Sequence, residues 1–426
     1  MGDESDTARR FIYNEDPVAE SLWNRQRTLL KDGMKMIYSG IDVAKNKHDC
    51  CIVNSSGEVV VESFSFDNNR DGFNKLLCAI KQAAQKEQTQ EIRAGLEATG
   101  HYSANLVAFL RNSGVELVVL NPLQVNLFRK SHTLRKTKTD KIDAKCIAKM
   151  LITADANPVC LSYQIQELKS LTRHRSRVVS QQSKCKQSLS RLVDILFPEL
   201  PTVCCSITQA SIVALLLELP GAHAISECRI NRLCRILQKA SKGRYSLDKA
   251  KEIKDLACQS IAISSPATSI ELRFTLQHLL FLQDQIRELD QSIRICTQQT
   301  QTPLLTIPGI SYTLAGVILA EIGDIHRFDS PDQLQAFAGL EPSTYQSGNF
   351  QANRTSMVKH GSTYLRWALI QAARLVSQNC ETFHNYLQNK RAQGKHYFVA
   401  LSHTSKKLIR VIFHILISNE AFDPQA

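Results

Sequence analysis

Residues 36–66 read MIYSGIDVAKNKHDCCIVNSSGEVVVESFSF, and this stretch decides the fold of the first third of the chain. Runs rich in Val, Ile and aromatic residues, bounded by turn formers, are strands. The stretch therefore predicts a meander: MIYSGIDV, HDCCIV, a turn over residues 54–57, and EVVVESFSF with its β-branched alternation. Outward from it, residues 71–87 take helical spacing through Phe73, Leu76, Leu77 and Ile80. A strand ending at Glu97, a helix over 101–112 and the strand VELVVLN, closing at Asn121-Pro122, follow in turn. A meander passing into alternating helices and strands implies a mixed α/β sheet layered with helices, whose reactive groups collect at strand ends.

That layout suits a ribonuclease-H-like domain, and four acidic residues stand where its chemistry would be. Asp42 follows the first apolar run and Glu97 closes another, so both carboxylates sit at or near strand ends. Asp140 and Asp143, in RKTKTDKIDAK, are three apart on a predicted helix and share one face. Carboxylates brought close repel unless a cation lies between them, and hard oxygen donors suit Mg²⁺ or Mn²⁺. Metal-assisted phosphodiester cleavage is the chemistry such a set can do.

The chain of 426 residues carries 52 Lys and Arg against 40 Asp and Glu, a net charge of +12 that favours a polyanionic partner. Residues 129–149 concentrate this: Arg129, Lys130, Arg135, Lys136, Lys138, Lys141, Lys145 and Lys149 outnumber Asp140 and Asp143. Lys141, Lys145 and Lys149 recur every fourth residue, a stripe able to hold a phosphate backbone without reading bases. Thirteen cysteines form no C-x-x-C pair and are odd in number, which argues against a disulfide framework or zinc ribbon and for a reducing cytoplasm. No run approaches the roughly 20 apolar residues of a membrane span, and the polar start has no signal-peptide core.

Four divisions follow. Residues 1–35 form a flexible or helical extension, and 36–157 the α/β domain. Residues 158–300 hold two long coiled-coil helices, near 162–197 and 268–298, around a helical insert at 206–262. Their near-heptad leucines could pair within one chain or between protomers. Residues 301–420 form a helical C-terminal domain opening with LLTIPGISYTLAGVILAEIG, in which the turn Pro308-Gly309-Ile310 reads as a helix-hairpin-helix able to hold a phosphate at Gly309. A glycine-containing polar loop then supplies Ser347, Arg354, Lys359 and His360, with Arg366 just beyond.

Taken in order, YSGIDVAKNKHD, GLEATGHYSANL, LVVLNPLQVNLFRKSHTLRKTKTDKIDAKCIAKML, LLTIPGI, FAGLEPSTYQSG and VKHGSTYLRWAL resemble the DEDD transposases of the insertion-sequence 110 family. The resemblance spans most of residues 36–420. It implies a RuvC-like N-terminal domain whose metal-binding acids are Asp42, Glu97, Asp140 and Asp143. It also implies a transposase domain whose nucleophilic serine is Ser347, beside Tyr345 and Gly348. Donor and target DNA, a bridge RNA that guides the choice of sites, a homodimer or homotetramer and a bacterial, nucleoid-associated setting come with it. Arg129, Lys130, Arg135, Lys136, Lys138, Lys141, Lys145, Gly309, Arg354, Lys359 and Arg366 are the residues expected to touch nucleic acid.

Rival readings remain for several features. A RuvC-like, Holliday-junction-type endonuclease would use the same acids without Ser347. GIDVAK resembles the first strand of actin-like kinases, whose later glycine-rich adenosine loop is missing. Asp49 reads as a turn or surface residue rather than a fifth ligand. The IPGI turn can be a plain helix connection, and Tyr345 lacks the Arg-His-Arg setting of a tyrosine recombinase.

Overall fold

The computed structural model describes residues 35–97, 101–120, 122–132, 140–153, 163–342, 346–347, 350–351 and 357–424, except the side chains of 122–124, 132, 140, 163, 346–347 and 350–351. The expected extension over 1–35 thus lies, apart from Lys35, outside the described residues, as do Arg135, Lys136, Lys138 and Arg354. The chain divides into two units, the first ending at Cys160 and the second starting at Leu161.

The first unit contains β1 (Met36–Asp42), β2 (Lys47–Asn54), β3 (Val59–Asp67), α1 (Arg70–Lys86), β4 (Glu91–Glu97), α2 (Ala104–Asn112), β5 (Glu116–Leu120), α3 (Pro122–His132) and α4 (Asp140–Thr153). The strands lie in the order β3-β2-β1-β4-β5. The first three run antiparallel as the meander required, and β4 and β5 are parallel to β1. A three-strand meander extended by two parallel strands through helical crossovers is the ribonuclease-H-like arrangement. Asn54 makes the hairpin turn, its Oδ1 accepting from the backbone of Ser56 at 3.1 Å and Glu58 at 3.0 Å. Asn69 starts α1, its Oδ1 accepting from Gly72 N at 2.8 Å.

Alternation sorts the sheet's side chains onto two faces. Ile37, Ile41, Cys50, Ile52, Ala94 and Leu96 point to α1 and α2, where Phe73, Leu76, Ile80, Leu106 and Leu110 cover them. Cys51 and Val53 meet Ala144 and Ala148 of α4 on the other face, and Val118 and Leu120 meet Ile147 and Leu151. Each fully buried Ile or Leu side chain contributes about 1.5–3 kcal/mol, so Ile147 and Leu151 fix α4 against the sheet.

The second unit is built on α5 (Tyr163–Leu196) and α10 (Pro266–Gln299), each 34 residues long. They pair within the chain and run antiparallel: Arg175 Nε donates to Asp290 Oδ1 at 2.6 Å, and 16 residues further on Arg191 meets Glu271. The insert, α6 (Ala210–Glu218), α7 (Ala222–Glu227), α8 (Ile230–Ser241) and α9 (Leu247–Cys258), shares a core with Leu189, Leu192, Leu272 and Leu276 at one end of that pair. At the other end Leu168 and Ile293 join a separate core. This second core is formed by α11 (Tyr312–Ile322), α12 (Pro331–Phe337), α13 (Thr363–Asn379), α14 (Glu381–Ala392) and α15 (Tyr397–Ser418).

Two local readings need correction. The segment before the IPGI turn is a 3₁₀ helix, Pro303–Thr306, and not the α-helix expected of a helix-hairpin-helix. Pro308 holds Ile307 extended, with ψ 118°, and Thr302 caps the start, which leaves four residues between, a length usual for a 3₁₀ helix. Asp49, expected in a turn or on the surface, lies inside β2 and is 8% exposed.

Candidate active site

Asp42 and Glu97 are the last residues of β1 and β4. These strands are parallel neighbours, and the pair Ile41↔Leu96 stands one residue before the two acids. Their backbones are therefore about 5 Å apart. Two residues earlier, Gly40 is partnered with Gly95 across the same strands. A Cβ at Gly40 would collide with the backbone of Ala144 and Ala148, and one at Gly95 would lie 2.5 Å from Leu151 Cδ2. Both glycines thus exist because α4 rests directly on the sheet there. Since residues two apart share a face, Asp42 and Glu97 emerge on the α4 side.

Helix α4 brings the other acids to the same end. Ile152, near its last residue, sits over Gly57 in the β2–β3 turn, beside the start of β1. The helix accordingly runs against β1 and points its N-terminus at the strand end bearing Asp42. Asp143 is buried at 8% exposure, one residue before the Ala144 contact. Arg129 of α3 donates through Nη1 to Asp143 Oδ1 at 3.1 Å and Oδ2 at 3.3 Å, and through Nη2 to Asn126 Oδ1 at 3.0 Å. Arg129, expected to touch nucleic acid, is thus also the cation that neutralises a candidate ligand. Asp140 opens α4, but its side chain is outside the described residues.

The fold brings backbone positions together more than it gathers side chains. No group of three or more His, Cys, Asp or Glu among the described residues converges as a metal site. The donor chemistry nonetheless fits a hard divalent cation: carboxylates on adjacent strands and an overlying helix, with no thiolate or imidazole among them.

The basic residues divide by setting. Lys141, Lys145 and Lys149 line one cleft of about 490 Å³ with Arg129, Glu62, Ser63 and Phe128. Lys130 and Lys359 are exposed. Arg366 is engaged at home, its Nη1 donating to the carbonyls of Ala338 and Lys359 at 3.3 Å each. Gly309 has φ +94°, and a Cβ there would come within 2.8 Å of the Leu375 backbone, so packing alone requires glycine. Ser347 lies in the two-residue strand β6 (Gln346–Ser347), paired with β7 (Phe350–Gln351); its side chain is outside the described residues.

Sequence reasoning missed the burial of Asp49, the Arg129–Asp143 pair and the role of the two glycines. A signal for the last was present: YSGID and RAGLE share a glycine two residues before the acid.

Both units of the chain match known proteins. A DEDD transposase model of the insertion element IS110 matches residues 39–198, and a model described as the transposase IS116/IS110/IS902 family matches 301–388. The chain is similar to the pilin gene-inverting protein of Moraxella lacunata, 24% identical over 397 residues, covering 92% of this chain and 98% of that one. It is likewise similar to the mini-circle putative transposase for IS117 of Streptomyces coelicolor, 24% identical over 409 residues, covering 91% and 96%. Among solved structures, Thermus thermophilus RuvC with a Holliday junction substrate aligns over 29% of this chain and 99% of its own, at 11% identity and a TM-score of 0.22. The assignment of fold rests instead on the strand order. Matched in chain order by family models in both units, the chain belongs to the IS110 family of transposases, enzymes of DNA recombination.

Proposed function

We propose that this chain cuts and rejoins DNA by transesterification, with Asp42, Glu97, Asp140 and Asp143 holding divalent metal and Ser347 as the nucleophile. The observation that carries the reading is the pair of parallel strand ends bearing Asp42 and Glu97, onto which two glycines let the Asp143 helix settle. Mg²⁺ or Mn²⁺ bound there would act as a Lewis acid on the scissile phosphate and offset charge on the leaving oxygen. The serine hydroxyl oxygen attacks phosphorus and its proton passes to a carboxylate or water. The P–O bond to the deoxyribose breaks, and the departing oxygen takes up a proton. The phosphoserine ester conserves the bond energy, so a second DNA hydroxyl can reverse the step without ATP. Lys141, Lys145 and Lys149 hold the backbone by charge, which leaves the choice of sites to a guide; the family resemblance supplies a bridge RNA for that role. By the same resemblance the working form is a homodimer or homotetramer.

The test is a covalent adduct. Incubation with labelled DNA carrying the element's ends, Mg²⁺ and the co-purifying RNA is expected to give a protein–DNA species that survives SDS, with mass spectrometry placing the bond at Ser347. Ser347→Ala should abolish it. Nicked product without adduct would favour a Holliday-junction-type endonuclease instead. Sequencing the bound RNA provides a separate check, since random fragments in place of one defined species would remove the guide.

A further inference from the structure

We infer that a groove of the second unit, between α5 and α13, takes an unpaired base of a DNA strand, stacked on Trp367. The inference goes beyond the metal and serine assignments and depends on neither. Thr172, Ser176, Val179 and Ser180 recur at three- and four-residue spacing, so they form one face of α5. Tyr364 and Trp367, three apart near the start of α13, form the other wall, and the buried Val317 of α11 completes the lining. The space is about 370 Å³, within the roughly 300–1,000 Å³ of clefts that hold small ligands.

The lining suits a flat aromatic guest. It pairs two aromatic rings with two valines and carries no carboxylate. Trp367 is 48% exposed, although tryptophan is on average a well-buried residue. Tyr364 is braced by Arg173, whose guanidinium carbon lies 5.0 Å from the ring centre. Arg175, on the α5 side of the groove, is fixed by Asp290 through hydrogen bonds of 2.6 and 3.1 Å. Both walls are therefore held in place before any guest arrives.

Charge identifies the guest. Between Glu167 and Asp194, α5 carries seven Lys or Arg and no acid, and α13 carries Arg366 and Arg374 and no acid. Arg173, Arg175 and Arg191 are matched by Glu321, Asp290 and Glu271. Arg177, Lys184, Lys186 and Arg374 stand exposed around them. Arg374, seven residues past Trp367, falls on the same face of α13. A second copy of the chain would bring the same positive field to this groove and be repelled, whereas the phosphates of a nucleic-acid strand are drawn to it. DNA recombination takes strands out of their duplex, and every base so released has a face that stacks on an aromatic ring whatever the sequence.

The chain has two tryptophans, so Trp23→Phe leaves Trp367 as the sole indole reporter in the full-length protein. In EDTA, a single DNA strand of about 12 nucleotides is expected to quench its emission. The same strand made abasic, or paired in a duplex, should not. By anisotropy of labelled DNA, Trp367→Leu should bind the single strand about tenfold more weakly and the duplex as before. Trp367→Phe, which keeps a ring to stack on, should retain most of the affinity. Equal quenching by the abasic strand, an unchanged affinity in Trp367→Leu, or a loss equal for strand and duplex overturns the inference, and so does quenching by RNA but not by DNA. Emission that shifts with protein concentration in the absence of DNA assigns the groove to a second copy and overturns it as well. Should Trp367→Leu not fold, Ser176→Leu, which narrows the groove from the exposed side of α5, carries the same expectation, and an unchanged affinity in it has the same force. Because metal is absent throughout, failure of the proposed metal or serine roles would leave these results as they are.

Discussion

Two sets of carboxylates in this molecule are held in opposite ways. In the second unit Glu321 is 2% exposed on α11 and surrounded by groups that answer its charge. Arg173 Nε and Nη2 donate to its two oxygens at 2.7 and 3.0 Å, and the Ser362 hydroxyl, which also caps α13, donates to Oε2 at 2.7 Å. Burial pushes this carboxyl up, but the hydrogen bonds from Arg173, the nearby Lys169 and Ser362 outweigh it and hold it below the usual range. In the first unit the backbone sets Asp42 opposite Asp49 and beside Glu97, at the ends of neighbouring strands. A buried charge with a matched cation of the protein's own ties elements together, here α5, α11 and α13. On the proposed function, acids gathered by the backbone at strand ends serve instead to bind a cation from outside.

The largest expected effect lies at the acidic row. Asp42→Asn should lower DNA strand cleavage on the order of 10³-fold, about 4 kcal/mol of transition-state stabilisation. The melting temperature in EDTA should hold or rise. A large loss of stability in that variant would break the contrast, since Asp42 would then be a structural acid like Glu321.

Next comes Glu321→Ala, expected to destabilise the second unit by about 3 kcal/mol in urea titration, because it strands a partly buried guanidinium. Metal binding should be unaffected. Glu321 has a folded pKa below its unfolded value, so its contribution is fully present above the ordinary carboxylate range. It is lost as pH falls through the lowered folded value. The wild-type chain should accordingly lose more stability than Glu321→Gln on acidification below about pH 4. Equal acid sensitivity would show that the pair does not hold the unit together.

The smallest effect belongs to the lysine stripe, where neither kind of carboxylate is involved. Lys145→Ala should reduce the slope of log affinity for DNA against log salt by about one. Folding should be unaltered. A slope unchanged by that variant would mean the stripe is only a soluble helix face.

Much of the first unit was legible in the sequence because its signals are local. Strand alternation, the Asn54–Gly57 turn and the helical spacing after Asn69 each act within a few residues, and they delivered the meander and the mixed α/β sheet. Asp42 and Glu97 at strand ends followed from the same runs. What escaped is non-local. Asp49 could not be told from a turn residue because its burial depends on α4, roughly a hundred residues further on. Arg129 and Asp143 come from different helices, and nothing in their spacing forces a contact. The 3₁₀ segment before Pro308 was hidden by apolar residues that fit a helix equally well. In the second unit the leucine spacing announced long helices but not whether they would meet one another. That is settled by the shared core of Leu189, Leu192, Leu272 and Leu276 and by ties such as Arg175 with Asp290, visible only once the chain folds back.

The antiparallel pair of α5 and α10 has a mechanical consequence. From Leu168 to Leu192 the axis advances about 36 Å, and the insert's core grips one end while the C-terminal core grips the other. The pair is thus a strut of set length. Removing seven residues from one helix alone would throw the Arg175 and Arg191 ties out of step. A matched removal from both would bring the two cores about 10 Å closer while keeping each intact.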